Sequence, residues 1–169
     1  AIISEFYDLN YIDEKLFYNF KIPSSRGDIT KISLNDKVIY LTDESYNSNP
    51  LSLKFAVENF NKENQSNKYL ILGDMLELGK FSKRLHKKMS KIINKTSIKK
   101  VYVIGKDIKE TFYAIDRKKR GRILSDKNEI YHLIKNDLNN NDHLMIKASN
   151  STGLNTIASN IKKGKVYAI

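Results

Sequence analysis

Polar side chains are concentrated in three short segments, each of which directly follows an apolar run. The first segment, residues 42–50, contains two carboxylates, a phenol and two side-chain amides before Pro50. Asn49 suits the N-cap of a helix and Pro50 its first turn, but capping leaves the other polar groups unexplained. A helix N-terminus with free backbone N–H groups can hold an anion. The segment predicts either a ligand site or an elaborate helix cap.

The second polar segment, residues 73–79, begins and ends with glycine. Gly73 would let the backbone bend or approach a ligand closely. Asp74 and Glu77 could accept hydrogen bonds from an ammonium group. The alternative is that the apolar residues of the loop pack it down while Asp74 serves as a cap.

The third polar segment, residues 147–153, contains a lysine followed by hydroxyl side chains. Lys147 can hold a carboxylate or a phosphate as a point charge, and Ser149 adds a hydroxyl beside a helix N-terminus. The alternative is a Ser/Thr-rich helix cap. That alternative accounts for Ser151 and Thr152 but poorly for Lys147.

Apolar periodicity places these segments in a series of alternating strands and helices. Strands are predicted over residues 29–34, 37–41, 69–72, 101–104, 122–124 and 144–146. Helices are predicted around residues 53–60, 85–93, 108–115, 130–134 and 154–161. The first two strands would form a hairpin across Asn35-Asp36. Ser125 or Asp126 would cap the fourth helix, and Gly164 would end the last.

This alternation predicts an α/β fold with a Rossmann-like, mostly parallel sheet, helices on both faces and an N-terminal hairpin strand. In such sheets, ligands bind beyond the carboxyl ends of the strands. The three polar segments follow strand ends, so we expect them to gather at one edge of the sheet. Residues 1–24 differ: a short aromatic-rich helix over 11–20 is followed by Pro23. We interpret residues 1–24 as the tail of a preceding domain plus a linker, and 25–169 as a second domain.

Composition excludes several kinds of site. The chain has no cysteine, so disulfides and thiolate metal sites are excluded. It has neither a membrane-length apolar run nor a signal-peptide pattern near its start. No Gly-Lys-Ser/Thr and no Gly-x-Gly-x-x-Gly after a strand occurs, so no P-loop or dinucleotide site is indicated. We expect a cytoplasmic protein without membrane insertion.

The net charge of +11 raises the question of nucleic acid. Most of the cations are lysines spread along the chain. The one dense cluster, residues 117–122, has no interleaved aromatic side chains and predicts a solvated loop rather than a nucleic-acid surface. No histidine pair has metal-ligand spacing. His86 is predicted to be a partly buried or surface residue rather than a catalytic one.

Together these segments resemble the C-terminal domain of the Mur ligases. The family string Asp-Asp-Ser-Tyr-Asn-Ala-Asn-Pro is matched by residues 43–50, and Gly-Asp-Met-x-Glu-Leu-Gly by residues 73–79. The Lys-Gly-Ser string is matched by residues 147–149, and a Gly-Arg-Gly-like entry by residues 25–27. The order and spacing fit across roughly residues 24–165. Two departures are Glu44 in place of Asp and Ala148 in place of Gly.

The resemblance implies an ATP-dependent amide ligase of three domains, of the kind that adds D-alanyl-D-alanine to UDP-N-acetylmuramoyl-tripeptide in peptidoglycan precursor synthesis. In such an enzyme the first domain binds the UDP-sugar, and the central domain holds most of the ATP and Mg²⁺. The last domain, which this chain matches, positions the dipeptide and closes over ATP. Residues 1–24 would then end the central ATPase domain, and the chain alone would be inactive.

The resemblance also implies two groups of site residues, with no catalytic residue and no metal ligand in this part of the enzyme. The nucleotide-facing group is Arg26, Asp43, Tyr46, Asn47 and Asn49. The dipeptide-binding group is Asp74, Glu77, Lys147 and Ser149. Two alternatives remain at this point: a domain of another Mur-type or folylpolyglutamate-synthase-like ligase, and a non-catalytic binding module that retains the fold.

Overall fold

A computed structural model of the chain describes residues 24–34, 37–64 and 67–165. Two predictions lie outside these ranges: the helix over residues 11–20 and the hairpin turn at residues 35–36. Apart from Ser24, the tail assigned to a preceding domain also lies outside them.

The described residues form six strands, which make one sheet. They are β1 (Asp28–Ser33), β2 (Val38–Glu44), β3 (Lys68–Gly73), β4 (Lys100–Ile104), β5 (Arg120–Ile123) and β6 (His143–Lys147). The spatial order is β1-β2-β6-β3-β4-β5. β1 pairs antiparallel with β2, and every other pairing is parallel. The predicted mostly parallel sheet with an N-terminal hairpin strand is confirmed.

Helices cover both faces of this sheet. They are α1 (Pro50–Lys62), α2 (Ser82–Asn94), α3 (Lys109–Ala114), α4 (Glu129–Asn136) and α5 (Leu154–Lys162). The α1, α2 and α3 helices pack on Leu70 and Leu72, whereas α4 and α5 pack on Tyr69 and Ile71. Alternate residues of β3 thus serve two cores, as strand geometry requires. Within the described ranges, no helix is long and apolar enough to span a bilayer.

The helix ends are set by local hydrogen bonds. Asn49 is the N-cap of α1 and accepts from the Ser52 N–H, so its predicted capping role is confirmed. Gly164 follows α5 with a φ of 73°, as predicted. The predicted cap of α4 is wrong, because the helix begins later, after Asn128. Ser125 instead donates its N–H and its hydroxyl to the carboxylate of Glu129, and so binds the first residue of α4 from the turn before it.

The basic cluster at residues 117–122 is not a solvated loop, as the sequence predicted, but leads into strand β5. Lys119 is buried, and its ammonium donates to the carbonyls of Thr96 and Ile98. Burial lowers the pKa of Lys119. Arg120 donates to the Ile115 carbonyl. Lys119 and Arg120 thus donate hydrogen bonds to backbone carbonyls near the ends of α2 and α3, and therefore stabilise the fold.

His143 gives the fold a pH dependence. Its ring is fully buried at the start of β6, with Nε2 2.7 Å from the Thr42 hydroxyl. Burial, reinforced by the charge of Lys68, lowers the pKa of His143 from 6.5 to about 4. The His143 imidazole therefore binds a proton near pH 6.5 in the unfolded chain, but only near pH 4 in the folded chain. The stability that depends on a neutral His143 is thus present above pH 6.5 and is lost as the pH falls from 6.5 to about 4.

We expect the free energy of unfolding to fall by about 2 kcal/mol between pH 7 and pH 5 through this residue. Urea denaturation at the two pH values measures the change. His143→Gln removes the titrating group, so the variant should show a pH difference smaller by about that amount. An equal pH difference in both proteins would show that other groups cause it.

Candidate functional site

The three polar loops meet at the carboxyl edge of the sheet, as the sequence predicted. Ser149, which follows β6, joins them. Its hydroxyl donates to the Ser48 carbonyl at 3.2 Å and accepts from the Leu76 N–H at 2.9 Å. Its own N–H donates to the Asp74 carbonyl. A single residue thus fixes the relative position of all three loops.

The loops enclose a depression of about 220 Å³. It lies between the ends of β6 and β3, whose following helices pack on opposite faces of the sheet. This is the topological switch point at which open α/β sheets bind ligands. The lining residues are Tyr46, Asn47, Leu76, Glu77, Ser149, Asn150 and Ser151.

Asp43, a predicted nucleotide-facing residue, is fully buried. Its carboxylate pairs with Lys162 of α5 and accepts from the hydroxyls of Ser25 and Ser45. Burial opposes the charge of Lys162, but its hydrogen bonds to Asp28 and Asp43 outweigh burial and raise its pKa. In this structure Asp43 fixes the entry segment and α5 on the end of β2.

The other predicted nucleotide-facing residues are exposed. The Arg26 guanidinium carbon lies 4.0 Å from the centroid of the Tyr46 ring, a cation–π stack at the sheet edge. Tyr46 and Asn47 line the depression, whereas Arg26 lines a neighbouring cavity of about 240 Å³. The Asn49 side chain is committed to capping α1.

Lys147 is only 2% exposed and does not line the depression. Its ammonium donates to the Asn47 carbonyl at 2.9 Å and to Glu44 at 3.2 Å. Burial lowers the pKa of Lys147, and the neighbouring Glu44 carboxylate opposes that effect. Glu44, one of the departures from the family string, thus makes an ion pair that joins the loops after β2 and β6.

The two carboxylates of the second loop differ: that of Asp74 is hydrogen-bonded to backbone groups, and that of Glu77 has no partner among the described residues. Asp74 accepts from the backbone N–H groups of Lys106 and Ile108, at 2.8 and 2.7 Å. Glu77 is exposed at the depression, and its carboxylate has no hydrogen-bond or ion-pair partner among the described residues. Glu77 also has a φ of 63°, which a non-glycine residue adopts at some cost.

His86 is fully buried, contrary to the expected partial exposure. Its Nε2 accepts from the Met75 N–H at 2.9 Å, so Nδ1 carries the hydrogen and donates to the Ser82 carbonyl. His86 therefore anchors the second loop to α2. The sequence held a signal for this, because His86 precedes the buried residues Met89 and Ile93 at helical spacing.

Ala148, the other departure from the family string, does not have a positive φ. The Ala148 side chain does constrain Gly73, the neighbouring residue at the end of β3. A Cβ atom placed on Gly73 would lie 2.7 Å from the Ala148 Cβ and 2.9 Å from the Leu154 Cδ1. Gly73 is therefore required by close packing of the second loop against the third.

We expect Gly73→Ala to lower the free energy of unfolding by about 1–3 kcal/mol through overpacking. Adding Ala148→Gly should restore part of the loss, since it removes the nearer of the two clashing atoms and leaves the Leu154 Cδ1. Denaturant unfolding of the two single variants and the double variant measures this coupling. Additive losses in the double variant would contradict the packing explanation.

A match to a family model identifies the class of protein. Residues 30–150 match the model described as "Mur ligase, glutamate ligase domain". The chain therefore belongs to the Mur ligase family, and the resemblance seen in the sequence is confirmed. The loops at the carboxyl edge of the sheet are the strings that carried that resemblance.

Individual relatives and solved structures carry more specific names than the family model does. A UDP-N-acetylmuramoyl-tripeptide–D-alanyl-D-alanine ligase of Bacillus subtilis is 28% identical over 145 residues, covering 83% of this chain and 31% of that protein. The enzyme of the same name from Rickettsia prowazekii is 30% identical over 146 residues, covering 86% and 32%. The crystal structure of a MurF ligase from Thermotoga maritima with ADP has a TM-score of 0.70 at 21% identity, covering 86% and 32%. The chain spans about a third of the length of these relatives.

Proposed function

We propose that this chain is the C-terminal domain of an ATP-dependent ligase that joins D-alanyl-D-alanine to UDP-N-acetylmuramoyl-tripeptide. One observation carries the proposal: three of the four family strings, at residues 43–50, 73–79 and 147–149, meet at one depression at the switch point of the sheet. The names of the relatives matched over most of this chain support the choice of substrates. Because the reaction consumes ATP and a UDP-sugar, the proposal places the enzyme in the cytoplasm.

In the proposed reaction, the tripeptide carboxylate takes the γ-phosphoryl group of ATP and becomes an acyl phosphate. The dipeptide amine attacks the acyl carbon in its unprotonated form, phosphate leaves the tetrahedral intermediate, and the nitrogen loses one proton as the amide forms. ATP and Mg²⁺ would be held mainly by a central domain, where Mg²⁺ offsets phosphate charge. This domain would contribute by orienting the dipeptide amine, a positioning effect, and by closing over the nucleotide.

The geometry divides the predicted site residues by accessibility. We propose that Arg26, Tyr46 and Asn47 face the nucleotide directly, with Asn49 holding the N-terminus of α1 beside them. Glu77 would contact the dipeptide, and the buried Ser149, whose hydroxyl joins Ser48 to Leu76, would hold the wall of the depression in place. The three predicted residues whose charges are engaged elsewhere, Asp43, Asp74 and Lys147, would act by holding the loops in shape.

An assay of the complete protein tests this function. The protein encoded by the whole reading frame should convert UDP-N-acetylmuramoyl-tripeptide and D-alanyl-D-alanine to one product, with one phosphate released per bond formed. The 169-residue chain alone should release no phosphate, since its sequence has no phosphate-binding Gly-Lys-Ser/Thr. Use of a single amino acid instead would indicate a different ligase. Absence of any ATP hydrolysis by the complete protein would indicate a binding module.

A further inference from the structure

A second cavity of about 260 Å³ adjoins the depression. The two cavities share Leu76 and Ser151 in their walls. The two adjoining cavities, together called the trough, lie side by side along the carboxyl edge of the sheet. The depression has Glu77 in its wall and no cation, whereas the second cavity has Lys127. The trough therefore has the Glu77 carboxylate at one end, and the Lys127 ammonium together with the Asp74 carboxylate at the other.

The exposed Lys127 side chain reaches its end of the trough over a glycine. A Cβ atom on Gly153 would lie 2.5 Å from the Lys127 Nζ, so the ammonium rests on bare backbone. Gly153 has a φ of 75°, a conformation that favours glycine. Among the described residues the Lys127 ammonium has no hydrogen-bond or ion-pair partner. Its charge is therefore available to a ligand.

Asp74 also lines the second cavity, but its oxygens accept hydrogen bonds from two backbone N–H groups. The carboxylate of Glu77 at the other end is uncommitted. Between the two ends lie the Ser151 hydroxyl and the side chain of Leu76, which is 40% exposed. The trough thus offers an anion, a hydroxyl, a small apolar surface and a cation in succession.

We infer that this trough binds the dipeptide as a zwitterion, with its amine end at Glu77 and its terminal carboxylate at Lys127. The inference rests on the proposed function and adds Lys127 to the site. The amine must approach the acyl phosphate, and Glu77 shares its cavity with Tyr46 and Asn47 on the nucleotide side. The carboxylate then points away from the nucleotide. Lys147 cannot fill this role in the described structure, because its ammonium is buried against Glu44.

A substrate that lacks the terminal charge tests the inference in the complete ligase. D-alanyl-D-alaninamide keeps the amine and replaces the carboxylate with a neutral amide. The wild-type enzyme should prefer the natural dipeptide by about tenfold to a hundredfold in kcat/KM, the range of a charge-assisted hydrogen bond. Lys127→Gln should lose that factor on the natural dipeptide, mostly through KM, and very little on the amide. The KM for ATP should stay unchanged.

Two control variants separate the charge of Lys127 from other effects. Lys127→Arg keeps a cation and should retain most of the preference. Lys109→Gln removes an exposed charge that lines neither cavity, and should behave as wild type. A Lys127→Gln enzyme that still prefers the natural dipeptide would overturn the inference and leave the proposed function standing. A wild-type enzyme that uses neither dipeptide would overturn both.

Discussion

Lys147→Ala is expected to lower the free energy of unfolding of this chain by about 3 kcal/mol. The side chain is 2% exposed, and its ammonium joins the Asn47 carbonyl to Glu44, so its removal leaves both groups unpaired. Breaking a buried ion pair from one side typically costs about 3–5 kcal/mol. The lower end applies because Glu44 is 26% exposed and can regain water. Denaturant unfolding of the wild type and the variant measures the loss.

Matched variants divide this loss into its parts. Lys147→Met keeps most of the side-chain volume and removes only the charge, so it should cost less than alanine. Adding Glu44→Gln to Lys147→Met should restore part of the stability, because no unpaired carboxylate remains. In the complete enzyme, a rise in the KM for dipeptide without loss of stability would instead support the direct contact predicted from the sequence. No change in either quantity would contradict both roles.

Asp43→Ala is expected to have a similarly large effect, about 3–5 kcal/mol on the free energy of unfolding. Its carboxylate is fully buried and is the common partner of Lys162, Ser25 and Ser45. Alanine would leave the two hydroxyls without their acceptor and would remove the buried one of the two carboxylates that pair with Lys162. Thermal and denaturant unfolding should both show the loss. The end of α5 should also exchange its amide hydrogens faster, because Lys162 holds it to β2.

Asp28→Asn is the matched control for Asp43. Asp28 pairs with the same ammonium but is 26% exposed, so its loss should cost about 1 kcal/mol or less. A double-mutant cycle of Asp43→Asn with Lys162→Met should show strong coupling, since the two single changes remove the same contact. Equal effects of Asp28→Asn and Asp43→Ala would contradict the importance assigned to burial.

The architecture was predictable because the central strands β3 and β6 are buried on both faces. Such strands appear in the sequence as short, continuous apolar runs, as at Leu70 to Leu72, separated by helical stripes. Once the alternation is seen, the parallel sheet and the meeting of its polar loops at one edge follow. Asn49-Pro50 marks the start of α1 for a reason that is entirely local, the satisfaction of free N–H groups.

The direction in which each charged side chain points could not be predicted in the same way. Asp43 and Lys147 both stand at strand ends, and the sequence places them at the site. Their engagement depends on partners distant in sequence, Lys162 and Glu44, and on the strand register, since a shift of one residue turns a side chain to the opposite face. Lys127 gave no signal, because its importance arises only from the cavity that Gly153 lets it reach.

Hydrogen–deuterium exchange of the complete protein tests most directly whether the depression receives the dipeptide. The protein would be saturated with a non-hydrolysable ATP analogue and UDP-N-acetylmuramoyl-tripeptide, and compared with and without D-alanyl-D-alanine. We predict that the dipeptide slows exchange in residues 45–49, 73–79 and 147–153, with little change on the exposed faces of α1 and α2. Protection confined to other parts of the protein, with these three loops unchanged, would contradict the proposed site.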